Sequence, residues 1–247
     1  MLKKAVVFIF VLFFLALPAY ALEISGGANY QDLDFSGKVQ SEGTRIDFKN
    51  DLGIEADEPV GFNLRLDAKR HHFCFDYVSI KAEGAKWLSQ SIDFQGQTYA
   101  ADIYLESKLE YDLFEAQYNF DLIDLKWANW GISLGPLFKV SVYDASVNLS
   151  GGGFNESYAE TLPLPTLGLV GELEATKYLS FLAQANGIGY SGNTYIEYKA
   201  LLRLKPFKYF NFDIGYKGMQ VDYSDDNDLL DLEVKGFLLQ GNFIYKF

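Results

Sequence analysis

The chain has 247 residues, a formal net charge of −12, 49% hydrophobic and 17% aromatic residues, and one cysteine. A single thiol excludes an internal disulfide, and an acidic balance with no basic patch excludes a nucleic-acid binder. A soluble exported β-protein would share these averages, so position along the chain has to separate the classes.

Met1–Lys4 carries two lysines, Ala5–Leu17 is unbroken apolar sequence, and Pro18-Ala19-Tyr20-Ala21 ends in small residues. This pattern predicts a cleavable export signal over residues 1–21, cut after Ala21 and followed by one domain over 22–247. As a membrane helix the run is too short, since a span needs about 20 apolar residues. Cys74 lies far from the cut, so no lipidation site is expected there. Cleavage leaves 247 − 21 = 226 residues, and the loss of Lys3 and Lys4 moves the charge from −12 to −14.

No later apolar segment is long enough for a membrane helix. Ten segments instead alternate with period two over roughly the nine to eleven residues that a tilted membrane strand needs. The first has Ile24, Gly26, Ala28 and Tyr30 on one face. The second sets Phe62, Leu64 and Leu66 against Asn63, Arg65, Asp67 and Lys69. Arg70-His71-His72 is expected to be a tight turn before the third, with Phe73, Phe75 and Tyr77 opposite Cys74 and Asp76. A long fourth segment, about 101–122, ends with Phe114, Ala116, Tyr118 and Phe120 outward and Glu115, Gln117, Asn119 and Asp121 inward. The fifth turns Lys139 and Ser141 inward, the sixth Glu172 and Glu174, and the seventh Ser180, Gln184 and Asn186. The eighth alternates Ile196, Tyr198, Ala200, Leu202 and Leu204 with Tyr195, Glu197, Lys199, Arg203 and Lys205 until Pro206, which has no amide hydrogen for a ladder. The ninth carries Phe210, Phe212, Ile214 and Tyr216 over Asn211, Asp213, Gly215 and Lys217.

The tenth segment runs Phe237, Leu239, Gly241, Phe243, Tyr245, Phe247, with Gln240, Asn242 and Lys246 between. It resembles the closing strand of bacterial outer-membrane β-barrel proteins, which implies that Phe243, Tyr245 and Phe247 are read by the barrel-assembly machinery. Ile46–Gly53 and Gly215-Tyr216 likewise resemble small outer-membrane barrel families of Gram-negative bacteria. The fold class expected is therefore all-β: an antiparallel transmembrane barrel of about ten strands, with eight or twelve as the alternatives.

Short joins near Arg70, Asn129, Lys177 and Lys208 alternate with mostly longer ones at 39–59, 87–98, 150–162, 191–194 and 225–230. That is the pattern of periplasmic turns and outer loops, and an even strand count puts both termini in the periplasm. Several segments change phase on the loop side, at Tyr77/Val78, at 112–114 and at Gly218, which predicts bulges or strand ends standing above the bilayer.

The inward set holds Arg65, Asp67, Lys69, Asp76, Glu115, Asp121, Lys139, Glu172, Glu174, Glu197, Lys199, Arg203, Lys205, Asp213 and Lys217, with Glu23 and Lys246 near the ends. Acids and bases nearly balance, so an interior filled by ion pairs is expected, helped by bulky Leu137, Leu182, Tyr195 and Ile244. A selective channel would show a ring of one sign, and none is visible. The alternative is a narrow, non-selective, porin-like channel for small polar solutes.

The excess negative charge crowds the loops, with Glu42, Asp47, Asp51, Glu55, Asp57 and Glu58 in the first and Asp222, Asp225, Asp226, Asp228 and Asp231 in the last. A solvated rim is the plain reading. The sharper one lets Asp225, Asp226 and Asp228 hold divalent cations shared with lipopolysaccharide phosphates, although Asp225–Asp228 lacks the spacing of an EF-hand loop. Gly151-Gly152-Gly153 is expected to be a flexible hinge, since no Lys-Ser/Thr follows to make a phosphate loop.

Catalysis needs a nucleophile and a base within reach, and His71 and His72, the only histidines, fall at a turn. The ten-strand count shared with omptin-like proteases is a likeness of fold. The expectation is a non-enzymatic integral outer-membrane protein with a structural or surface-interaction role and no cofactor. Its partners would be lipid, lipopolysaccharide and the assembly machinery; a surface hydrolase is the more distant reading.

Overall fold

Alternating sequence with turn signals every ten to twenty residues leaves a chain little choice but hairpins, and an even set of hairpins can abolish its edges only by closing. The computed structural model describes residues 22–40, 44–56, 58–94, 96–225 and 228–247. The expected export signal lies outside the described residues. Among those described, ten long strands form: β1 (Leu22–Gln40), β2 (Val60–Ala68), β3 (His71–Trp87), β4 (Tyr104–Phe120), β5 (Gly131–Gly151), β6 (Phe154–Thr176), β7 (Leu179–Tyr190), β8 (Asn193–Phe207), β9 (Phe210–Asp225) and β10 (Asp228–Lys246). Each pairs antiparallel with the next. β10 returns to β1 from Glu23↔Lys246 to Gln40↔Leu229, and the barrel is closed.

Outward side chains in the half where β1 begins and β10 ends are large and bare. Phe62, Phe138, Leu167, Ile196, Ile214, Leu239 and Phe243 are all exposed, Leu167 at 69% and Phe243 at 71%. On β10 the row from Phe237 to Tyr245 spans nine residues, roughly 30 Å along the strand and roughly 23 Å in height at a ~40° tilt, close to the lipid-covered band of such barrels. Trp127 and Trp130 stack at 3.8 Å on the turn beyond this band, where amphipathic rings anchor at a membrane–water interface.

The phase changes have a single cause, and it is not a bulge. The β2–β3–β4 register runs unbroken through Phe62↔Tyr77↔Phe114 and Gly61↔Val78↔Leu113, and β8–β9–β10 runs unbroken through Tyr198↔Gly218↔Lys235. Even-numbered residues of β3 keep facing inward, but Asp76 gives way to buried Val78, Ile80 and Ala82. Outside, Lys81 and Glu83 replace the aromatic row. Above the lipid the outer surface meets water and the interior becomes the driest place, so hydrophobicity swaps faces while the backbone does not change. Register shifts occur at Glu174/Thr176 and Leu204/Phe207, near the short turns.

Three expectations about joins need correction. The turn after β2 is Lys69-Arg70, with Lys69 at φ 58°, and both histidines belong to β3. Pro206 does not end β8, which continues through the register shift to Phe207. The join at 150–162 is not a long loop with a glycine hinge: β5 and β6 stay paired to Gly151↔Phe154 around Gly152 (φ 61°) and Gly153 (φ 88°), left-handed positions that glycine occupies without strain.

The first two outer joins fold back into the barrel mouth. Ile46, Leu52 and Ile54 from the first, and Leu88, Ile92 and Tyr99 from the second, pack with Ala82, Leu105 and Leu149 of the wall. Ser107 Oγ donates to the carbonyls of Leu52 and Gly84, each at 3.2 Å, and Lys86 Nζ donates to the carbonyl of Asn50. Partial burial works against the charge of Asp47, yet the amides of Asn50 and Lys49 hold its carboxyl below the usual carboxylate range. Below this cap lies a second apolar layer of Leu33, Phe35, Val78, Ile80, Leu113 and Val234.

Candidate functional site: the charged lumen

With the loop-end half filled by apolar side chains, the polar interior is confined to the other half. A cavity of about 750 Å³ opens there at the end where β1 begins and β10 ends. Thirteen of the charges expected inside line it: Arg65, Asp67, Lys69, Asp76, Asp121, Glu172, Glu174, Lys199, Arg203, Lys205 and Asp213, with Glu23 and Lys246 at the rim. The other four, Glu115, Lys139, Glu197 and Lys217, do not line it.

The cavity wall is organised by strand neighbours. Arg65 Nε bonds both oxygens of Asp67, at 2.8 and 2.9 Å. Arg203 grips Asp213 in a bidentate pair at 2.7 and 2.8 Å, and Asp213 is fully buried. Glu172 accepts from Ser180 Oγ at 2.6 Å and lies 3.5 Å from Lys205, which also reaches Glu174 at 3.2 Å. At the rim Lys246 meets Glu23 at 2.5 Å, tying the closing strand to the first.

The ceiling is a lock that crosses the lumen. Lys139 on β5 extends its ammonium to Glu197 on β8 at 2.6 and 2.7 Å and also pairs with Glu115 on β4. Tyr195 donates to Glu197 at 3.1 Å and shares a 2.8 Å bond with Tyr143. Only 2% of the Lys139 side chain is exposed. Amide groups complete the fill: Gln184 donates to Gln117 at 3.1 Å, Asn186 to Thr166 at 2.9 Å, and Asn63 and Asn242 link at 2.7 Å. Leu137, Leu182 and Tyr195 are buried in the same interior, as their phase predicts, and Ile244 lines the cavity.

Sequence reasoning missed His72. It faces the lumen between two carboxylates, with Nδ1 on Asp67 and Nε2 on Asp121 at 2.9 Å, while His71 faces outward and packs on Tyr118 and Phe120. The shared parity of His72, Cys74 and Asp76 would have revealed it had the turn been set one residue pair earlier. Phe243, Tyr245 and Phe247 are exposed on the outer wall, and the Phe247 amide bonds the Leu22 carbonyl at 3.0 Å. Of the acidic triad expected to bind cations, Asp226 and the side chains of Asp225 and Asp228 lie outside the described residues. Among the described residues no group of three or more His, Cys, Asp or Glu is arranged to hold a metal ion.

Against known proteins, no family model and no curated protein matches this sequence. Among solved structures, the outer membrane protease OmpT from Escherichia coli superposes with a TM-score of 0.53 at 12% identity, over 91% of this chain and 97% of that one. The fold is that of outer-membrane β-barrels. Ail, the attachment invasion locus protein of Yersinia pestis, has 14% identity over 91% and 98% of the two chains with a TM-score of 0.39. Neisserial surface protein A has 13% identity over 90% and 97% with a TM-score of 0.38. At these identities it is the barrel architecture, and not an activity, that is shared.

Proposed function

We propose that this protein is a closed, non-conducting and non-catalytic outer-membrane barrel that works through its outer half as a surface-interaction protein, with both termini in the periplasm. The observation that carries this reading is the Lys139–Glu115–Glu197 lock under two apolar layers. An ion crossing the lumen would have to break a buried charge network and then traverse side chains such as Ile80, Leu105 and Leu149. Such a path offers no hydration, so permeation is costly. The polar cavity is a vestibule on one side only. Against catalysis stands His72, whose two ring nitrogens are both taken up by carboxylates of the barrel wall. OmpT is a protease, but no histidine of this chain lies in the outer half.

Planar-bilayer recording of the refolded full chain tests the reading. Quiet traces at 1 M KCl are expected over the voltage range in which general porins open; stepwise conductance would end it in favour of a narrow porin-like channel.

A further inference from the structure

The barrel wall is not uniformly tall. β7 and β8 stop at the Ser191-Gly192 turn, whereas β6 begins far above them at Phe154. β6 pairs with β5 along its whole length but with β7 only from Leu167↔Gly187 downward. Among the described residues no strand pairs with Phe154–Thr166 on its second edge, and β7 ends at Tyr190, level by register with Leu164. On the far side, β9 loses its β8 neighbour above Thr194↔Asp222. The result is a lateral notch above the β7–β8 hairpin, three strand spacings across, or roughly 14 Å.

The edge is chemically competent to pair. Pro163 and Pro165 sit inside an unbroken β5–β6 ladder, which is compatible with their missing donors only if the odd-numbered positions of β6 turn their backbone groups away from β5. Asn155, Ser157, Ala159 and Thr161 therefore present amides and carbonyls to the notch. Over Phe154–Leu162 the edge carries no lysine, proline or register shift, the devices by which edges are normally blunted. The prolines limit it at the membrane side.

The inner face of the β6 edge is acidic. Glu156 and Glu160 share the inner face with Leu162 and Leu164 on one wall. On the opposite wall Asp222 lies on the outer face, where it accepts from Thr194 and Gln220, and its cross-strand neighbour Asp231 is itself opposite Lys38 of β1.

We infer that the free edge of β6 over Asn155–Thr161 is a docking site for an extended, basic polypeptide segment of another protein, which adds to the barrel wall as a strand and sets a row of lysine or arginine side chains against Glu156 and Glu160. Main-chain bonds supply affinity in such strand addition, and the alternate side chains supply selectivity. This deepens the surface-interaction reading and rests on it.

The test uses the refolded full chain in phosphatidylcholine nanodiscs and a fluorescent decapeptide of alternating lysine and valine, read by anisotropy. Binding is expected, with a Glu-Val decapeptide and a backbone N-methylated Lys-Val decapeptide each weaker by about tenfold or more. Ala159→Pro removes an edge donor without touching the β5 ladder and should weaken binding by about tenfold; Glu156→Lys with Glu160→Lys should do the same. A folded variant is recognised by its heat-modifiable gel shift. Equal binding of the basic and acidic peptides, or binding indifferent to both variants, overturns the proposal. So does absence of peptide binding together with a dimer that Ala159→Pro dissolves, since the occupant would then be a second copy. Lack of peptide binding with quiet bilayer traces refutes this inference alone, whereas conductance steps refute the closed-barrel reading whatever the peptide does.

Discussion

Replacing Lys139 by methionine asks whether the lumen is dry at its ceiling. The ammonium is almost wholly buried, bonds Glu197 at 2.6 and 2.7 Å and also pairs with Glu115. Methionine keeps the length of the stem but removes the cation that bonds both carboxylates, and breaking a buried pair from one side costs about 3–5 kcal/mol because the remaining charge is stranded. Lys139→Met should therefore lower unfolding stability by about that amount in urea titrations of vesicle-embedded protein followed by tryptophan fluorescence. Neutralising the stranded groups as well, in Lys139→Met with Glu115→Gln and Glu197→Gln, should return stability to within about 1–2 kcal/mol of the parent, since amides at those sites keep their bonds to Ser141 and Tyr195. A single variant that loses less than about 1 kcal/mol would refute the reasoning, because the carboxylates would then have been compensated by water, by a proton or by the nearby Lys217 and Lys199.

Gly84→Val should unseat the first outer join: a Cβ at Gly84 would fall 2.3 Å from the Leu52 carbonyl, so trypsin is expected to cut at Lys49 faster than in the parent, and an unchanged digestion rate would mean that the join does not rest on that strand. Cys74 lines the cavity at the end where β1 begins and β10 ends, so a membrane-impermeant maleimide should leave it unlabelled on intact cells and reach it once the outer membrane is permeabilised; labelling on intact cells would invert the proposed orientation. On the proposal that the assembly machinery reads the exposed Phe247 ring, deleting it should slow insertion in cells while leaving detergent refolding near normal; equal loss in both assays would assign it a structural role instead.

Alternation was enough to point to an all-β barrel of about ten strands, with eight or twelve open, to set the inward face of the membrane half of most strands, and to show that the charges on that face nearly balance. Strand geometry is local, with side chains alternating strictly, so a face assigned at one end of an unbroken ladder holds to the other. Arg65–Asp67 and Arg203–Asp213 follow from such neighbour relations. What depended on three-dimensional surroundings was not legible. The two prolines and three glycines near 150–165 look like a loop, yet a hairpin absorbs them because the prolines fall on an edge without a neighbour and the glycines on a left-handed turn. The apolar inward residues of β3 and β4 look like a slipped phase, because sequence does not mark the height at which lipid ends and water begins. The Lys139–Glu197 contact joins β5 to β8 across the lumen, and the plug seats joins 1 and 2 on three different strands. Those contacts depend on how the closed wall curves, which no single strand records.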